Sequence, residues 1–325
     1  MIPLRDTAPS GHYPIINTFI IAINVLAFII QSAWPGDPEH FFYLYGLVPA
    51  RYSDPVTAAY YPFIMQIFSF FSFMFIHGGI WHMLSNMWFL YIFGDNVEDR
   101  LGHIRYLAFY ILCGLGSALF HLIFNIDSNL PTIGASGAVA GVMGAYFVLY
   151  PKAKILTLIP ILFIPYFTEI SAFFFLGLWL LLQFFNAAAE IGNHHAGGIA
   201  WWAHIGGFIF GILFLKIFNV LPETGMTRKV MPATERKKTY RFQVIRPTGS
   251  VDNPNLYGKI MVTAHEAFIG TVKLINIPWG FYQRPFRVTV PSNSHDGTIL
   301  RLNGLGKQMS DGSVGDLMLT VIIRG

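Results

Sequence analysis

Six stretches of this sequence carry no Asp, Glu, Lys or Arg: 14–34, 63–94, 106–125, 131–151, 170–189 and 191–215. A helix needs about 20 apolar residues to cross a bilayer core of about 30 Å. Six spans of roughly 15–22 residues fit these stretches. The second is too long for one span and is read as a loop segment, 63–79, followed by a helix, 80–94. Composition agrees: 54% of the 325 residues are hydrophobic and only 12% charged, against about 25% charged in soluble domains. A net charge of +4 is small for this length, so there is no basic footprint for nucleic acid. The first apolar run exceeds a signal-peptide core and lacks a small-x-small cleavage site, so it reads as a retained span. The single cysteine, Cys113, can form no intrachain disulfide.

Basic residues set the expected topology. Arg5 precedes the first span; Arg100 and Arg105 follow the second, Lys152 and Lys154 the fourth, and Lys216, Arg228, Lys229 and Arg236-Lys237-Lys238 the sixth. Loops of the other parity hold only Arg51 as a basic residue. The positive-inside rule then places both termini in the cytoplasm. Spans two, four and six all descend from the outer to the inner face.

Beyond about residue 222 the composition shifts. Pro222, Gly225 and the charges through Lys238 read as a linker. Short β-rich runs then alternate with turn residues: RFQVIR, GKIMVTA, TVKLINI, FRVTVP, TILRLNG and DLMLTVII. The expected fold is an all-α polytopic membrane domain followed by a small all-β sandwich domain. Its expected parts are 1–221 in the membrane, 222–239 as linker and 240–325 as a cytoplasmic β domain.

Polar residues inside membrane helices are costly and mark function by default. Span two holds HGGIWHMLSN, with His77, His82 and Asn86; span four opens on Ser136 within GASG; span six holds AHIGGFIFG, with His204. Counting about 1.5 Å per residue from the charges at the cytoplasmic ends, Ser136 lies at about 24 Å, His204 at about 18 Å, and His82 and Asn86 at about 20 and 14 Å. Of these, Ser136, His204 and His82 fall in the outer half of a core of about 30 Å, and Asn86 lies near its middle. His82 and Asn86, four apart, share a helix face. A lone membrane serine more often serves packing than attack, and a lone histidine can be an ion ligand. Four such groups at one depth, on three helices of one parity, are hard to obtain by chance.

Together these groups supply the parts for acyl transfer. Ser136 is the candidate nucleophile and His204 its base. His82, Asn86 and the Ser136 N–H can donate to an oxyanion. Gly134 and Gly137 are expected to let the backbone turn and the helices close up, and Gly207 and Gly211 to form a small-xxx-small face.

With these motifs in this order, residues of about 14–218 resemble the rhomboid family of intramembrane serine proteases. The resemblance implies a six-helix bundle, a Ser136–His204 dyad without a third acid, oxyanion assistance from His82 and Asn86, a structural loop at His77, and transmembrane protein substrates cut near the outer face. It also implies hydrolase activity without a cofactor, in a multi-pass protein of the lipid bilayer, expected in a bacterial inner membrane. Two positions depart from patterns in the family. Some members place an aromatic four residues after the serine, stacked on the base, where this chain has Ala140. Some carry a Trp-Arg pair in the first loop, which here reads YGLVPARYSDP.

The tail, about 240–325, resembles the C-terminal substrate-binding domain of DnaJ-type co-chaperones through VTAHEAFIGTVKL, VTVPSNSHDGTILRLNGLGK and GDLMLTVII. That resemblance implies capture of unfolded or apolar polypeptide segments. No J-domain His-Pro-Asp and no CxxC zinc pattern occurs. A stabilising or dimerising β domain is the plainer reading.

No metal site is expected. His77 and His82 do not have zinc-protease spacing, and His194-His195 reads as part of a wet outer loop. Glu169 is read as the interior of span five or a kink. The rival classes are an inactive rhomboid-like client binder, a transporter and a membrane-anchored chaperone adaptor. A transporter usually carries Asp, Glu or Lys at a midplane site and broken helices at repeated positions, and neither is seen here.

Overall fold

The computed structural model describes residues 1–161, 164–190, 200–222, 231–239, 242–250, 253–279, 282–309 and 312–324. His194, His195 and 223–230 of the expected linker lie outside the described residues. The chain divides into two compact units. One is helical, Tyr13–Lys152 with Ser171–Thr234; the other combines Met1–His12, Ala153–Ile170 and Glu235–Gly325.

The helical unit contains α1 (Ile15–Ser32), α2 (Pro38–Tyr45), α3 (Pro55–Ala59), α4 (Phe63–Ser72), α5 (Ile80–Leu101), α6 (His103–Asn125), α7 (Ser136–Leu149), α8 (Ala172–Glu190) and α9 (Trp201–Val220). Helices α1, α6, α8 and α9 are long and apolar enough to cross a membrane. A fifth span exists if α4, with the turn that follows it, counts as one with α5, but that pair is bent by 75°. The sequence reading expects six. The difference is α7, whose 14 residues rise only about 21 Å. The protein is thus a multi-helix integral membrane protein with a β-sheet-containing C-terminal region.

Two expectations need correction. Segment 63–79 is not a plain loop: α4 fills 63–72 and a 3-10 turn follows at Phe73–Phe75. Helix α5 does not stop at 94 but runs to Leu101 through Asp95, Glu98, Asp99 and Arg100. The reason is that Glu98 turns inward as a cap. Its carboxylate accepts from the N–H of Ile16 at 3.0 Å and of Asn17 at 2.7 Å. These are first-turn donors of α1, which no intrahelical carbonyl can satisfy. His103 pairs with the same carboxylate, and its other ring nitrogen lies 2.7 Å from Thr234 Oγ1. The Asn17 side chain donates to Leu90 O and accepts from Tyr106 OH, so one asparagine joins α1, α5 and α6.

At the centre, α7 and α9 approach backbone to backbone, and α6 packs against both through side chains. A Cβ added to Gly207 would collide with Gly137 O, and one added to Gly211 would collide with Gly141 O. The other side of α7 packs on α6, where a Cβ on Gly137 would run into Ser117 Oγ. Lipid gives no hydrophobic drive for helices to associate, so this close van der Waals fit is what joins them.

The second unit is discontinuous in sequence. Its strands are β1 (Ile2–Asp6), β2 (Ser10–His12), β3 (Lys154–Ile161), β4 (Ile164–Ser171), β5 (Glu235–Thr239), β6 (Phe242–Val244), β7 (Leu256–Val262), β8 (Thr271–Trp279), β9 (Tyr282–Val290), β10 (Ile299–Leu302) and β11 (Leu317–Ile323). They form a sheet in the order β1-β3-β4-β9-β8-β6, a sheet β10-β11-β7 and the pair β2-β5. Leu317, Leu319 and Val321 alternate inward along β11 and join Ile260, Val262, Ile275, Ile277, Val288 and Val290 in the core. The short helix Ala264–Ile269 opens on a capping box, in which Thr263 and Glu266 satisfy each other's backbone N–H groups. The N-terminal strands and the 153–170 hairpin thus join residues beyond 235, although the sequence reading places them with the membrane part. Strand β5 lies where that reading has linker.

Glu169 is corrected as well. It lies in β4, not inside a span, and its Oε1 accepts from Asn276 Nδ2 at 2.5 Å. Burial raises its carboxyl pKa above the usual range, opposed by the Asn276 hydrogen bond.

The helix crossing yields a first prediction. Gly211→Val forces the α7 and α9 backbones apart and should cost about 1–3 kcal/mol, the usual size of overpacking. The midpoint of thermal unfolding in detergent should fall accordingly. The control is Leu213→Val, at an exposed position of the same helix, which should leave the midpoint nearly unchanged.

Candidate active site

Helices α5, α7, α8 and α9 enclose a cavity of 610 Å³, lined by His82, Ser85, Asn86, Phe89, Ser136, Val139, Met143, Trp179, Gln183, Trp201 and His204 among others. Ser136 is the first residue of α7. As at any helix start, its first N–H groups lack intrahelical partners, and Ser136 itself lines the cavity.

His204 Nε2 lies 2.9 Å from Ser136 Oγ. The close α7–α9 crossing makes this reach possible, since Gly207, one turn beyond His204, rests on Gly137, the neighbour of Ser136. The other ring nitrogen, Nδ1, lies 2.9 Å from Gln183 Oε1. Trp179 and Trp201 flank the imidazole, with ring centroids at 5.9 and 6.1 Å. The aromatic neighbour that Ala140 cannot provide therefore comes from α8 and from the start of α9.

His82 and Asn86 sit across the cavity on α5. The Gly78 N–H donates to His82 Nδ1 at 3.3 Å, so the ring proton of neutral His82 belongs on Nε2. That nitrogen lies over Gly134, where an added Cβ would meet it at 2.9 Å. Asn86 is buried, and its Nδ2 has no hydrogen-bond partner among the described residues. The cavity thus gathers a hydroxyl beside an imidazole and, opposite, two side-chain N–H donors. Such a set can deprotonate a hydroxyl and hold an oxyanion.

The remaining expected residues are placed as follows. His77 is fully buried and does not line the cavity. Its backbone is clamped by Gln31, which accepts from the His77 N–H at 3.0 Å and donates to its carbonyl at 2.6 Å, and its ring meets His82 edge-on at 5.2 Å. Gly137, Gly207 and Gly211 lie at helix crossings. Gly134 does not: it precedes α7 at φ +125°, packs against His82 and donates its N–H to Phe73 O at 2.8 Å. Among the described residues no group of three or more His, Cys, Asp or Glu is arranged to hold a metal ion.

Sequence reasoning misses Gln183 and Trp179, and also the ties that fix the loop before Ser136. Thr132 exchanges backbone hydrogen bonds with Leu47, and its Oγ1 lies 2.9 Å from His121 Nε2. A polar residue within span five, four beyond a tryptophan, is the signal available for Gln183.

Residues 65–219 match the family described as Rhomboid domain. Similar proteins include RHOMBOID-like protein 4 of Arabidopsis thaliana, 30% identical over 177 residues, covering 52% of this chain and 38% of that protein. Rhomboid protein 1, mitochondrial, of Saccharomyces cerevisiae is 28% identical over 169 residues, covering 49% and 44%. Presenilin-associated rhomboid-like protein, mitochondrial, of Homo sapiens is 28% identical over 207 residues, covering 61% and 47%. These matches support the rhomboid family. The chain spans less than half the length of these curated relatives, and the rhomboid match ends at residue 219, so it does not reach the C-terminal strands.

The loop before α7 yields a second prediction. Gly134 holds a φ that L residues rarely adopt, and a methyl there meets His82. Gly134→Ala should cost about 1–3 kcal/mol, the usual size of such strain, read as a lowered midpoint of thermal unfolding.

Proposed function

We propose that the protein is an intramembrane serine endopeptidase that cuts peptide bonds in or near transmembrane segments of membrane proteins. The observation that carries this reading is the 2.9 Å approach of His204 Nε2 to Ser136 Oγ within the cavity. In the proposed reaction, Ser136 Oγ attacks the scissile carbonyl carbon while its proton passes to His204 Nε2. The carbonyl oxygen becomes an oxyanion and accepts from the Ser136 N–H, Asn86 Nδ2 and His82 Nε2–H. His204 then returns the proton to the leaving amine as the C–N bond breaks. Water, activated by His204, hydrolyses the acyl-enzyme.

In this reading α7 is the fourth span and brings the bundle to six. It opens below the outer surface, so a stretch too short to span still sets Ser136 within the membrane. Basic residues after the second, fourth and sixth apolar stretches support cytoplasmic termini. The proposed location is a bacterial inner membrane, although the named relatives are eukaryotic. Residues 240–325, by their likeness to a DnaJ-type substrate-binding domain, are proposed to hold apolar or unfolded segments of client proteins. The alternative reading is a catalytically inactive rhomboid-like client binder or a membrane-anchored chaperone adaptor; the presence of both Ser136 and His204 favours the protease.

The test is cleavage of a panel of single-span substrates by purified protein. Ser136→Ala and His204→Ala should each abolish cleavage, and the double variant should lose little more, because the pair acts as a unit. Cleavage by Ser136→Ala would overturn the assignment. Asn86→Ala should lower kcat by about 10²–10³-fold, the cost of one oxyanion donor, with KM nearly unchanged. A large rise in KM with kcat intact would give Asn86 a structural role instead.

A further inference from the structure

We infer that Gln183 is a positioning residue for His204, holding the imidazole in the tautomer that can take a proton from Ser136. The inference rests on the protease reading above for its consequence and on the geometry of α8 for its content.

A neutral imidazole has one N–H and one lone pair, and only the lone pair accepts a proton. For His204 to act on Ser136, the hydrogen must sit on Nδ1 and the lone pair on Nε2. Gln183 enforces that choice. Its amide nitrogen donates to Trp179 O at 3.0 Å. A carbonyl oxygen can only accept, so the NH2 end of the amide faces the helix backbone. The Oε1 end is therefore turned toward His204 Nδ1, at 2.9 Å. A carbonyl oxygen there requires Nδ1–H. The opposite nitrogen is left to accept from the Ser136 hydroxyl, at 2.9 Å.

The surroundings keep this arrangement fixed. Gln183 is 5% exposed, so water does not compete well for its oxygen. Trp179, which supplies the carbonyl that orients the amide, also flanks the His204 ring. Among the described residues no carboxylate lines the cavity. The titratable groups that act on His204 are His82 from α5 and His121 from α6, and neither occupies Nδ1. A dyad would leave the tautomer to chance. This chain has a neutral third member, which orients the base and accepts from the imidazolium that forms during attack.

The first readout needs no substrate. In ¹⁵N-histidine spectra of the full-length protein in detergent, the resonances lost in His204→Ala report the wild-type tautomer. Protonated Nδ1 and bare Nε2 are expected; the reverse overturns the inference, whatever the enzyme cleaves. The second readout uses Gln183→Leu and Gln183→Glu. The leucine keeps the volume and removes the acceptor. It should lower kcat about tenfold, the size of one hydrogen bond, with KM nearly unchanged. The glutamate restores an acceptor and should recover most of kcat. A carboxylate also favours the imidazolium, so the acidic limb of the pH–rate profile should move to higher pH. Wild-type kcat and pH profile in Gln183→Leu would overturn the inference. So would equal losses in both variants together with a lowered unfolding midpoint, which mark a packing role. If Ser136→Ala still cleaves, the protease reading fails while the tautomer result stands on its own.

Discussion

The close approach of α7 and α9 is the contact on which the rest of the helical unit depends. Gly207 rests on the carbonyl of Gly137 and Gly211 on that of Gly141, at distances no side chain would permit. The consequence is chemical as well as mechanical. A histidine side chain is short, and His204 reaches Ser136 only because the two helix axes are held this near. Inserting one methyl group between them separates the hydroxyl from the imidazole. In lipid, where apolar surface gives no reason for helices to associate, this interlock of backbone and small residues is also what joins them.

A second constraint is the short length of α7. In the proposed membrane placement a helix this short begins within the apolar depth, and the loop before it has to be satisfied by other means. Leu47, Phe73 and His121 supply those partners, through Thr132 and Gly134. On the other wall His82 is aimed by the Gly78 N–H and backed by His77, which Gln31 clamps to α1. The cavity is therefore framed by groups whose hydrogen bonds are spent on orientation, while Asn86 Nδ2, Ser136 and His204 face its interior.

Much of the site is legible in the sequence. Polar residues are rare in apolar stretches, and their depth follows from counting to the nearest charge, so Ser136, His204, His82 and Asn86 stand out from the chain alone. Gln183 does not, because an amide in a long apolar helix that also carries Asn186 gives no sign of what it faces. Gly134 reads as a packing glycine, since sequence does not distinguish a positive φ from a close helix contact. Residues 155–161 and 164–168 resist assignment because an apolar run of that length fits a buried strand or a helix equally. The N-terminal strand is hidden for a different reason: its partner β3 lies some 150 residues away, and no local pattern encodes so distant a pairing. The charged end of α5 reads as loop if charges mark the membrane surface, whereas Glu98 is turned inward to cap α1.

The central claim is that Ser136 is made nucleophilic by His204. Labelling of the protein in native membranes with a fluorophosphonate tests it directly, because that reagent reports an activated serine without any assumption about substrate. Stoichiometric labelling at Ser136 is predicted for the wild type, with loss of labelling in His204→Ala. An unlabelled wild type, or equal labelling of the two proteins, would contradict it.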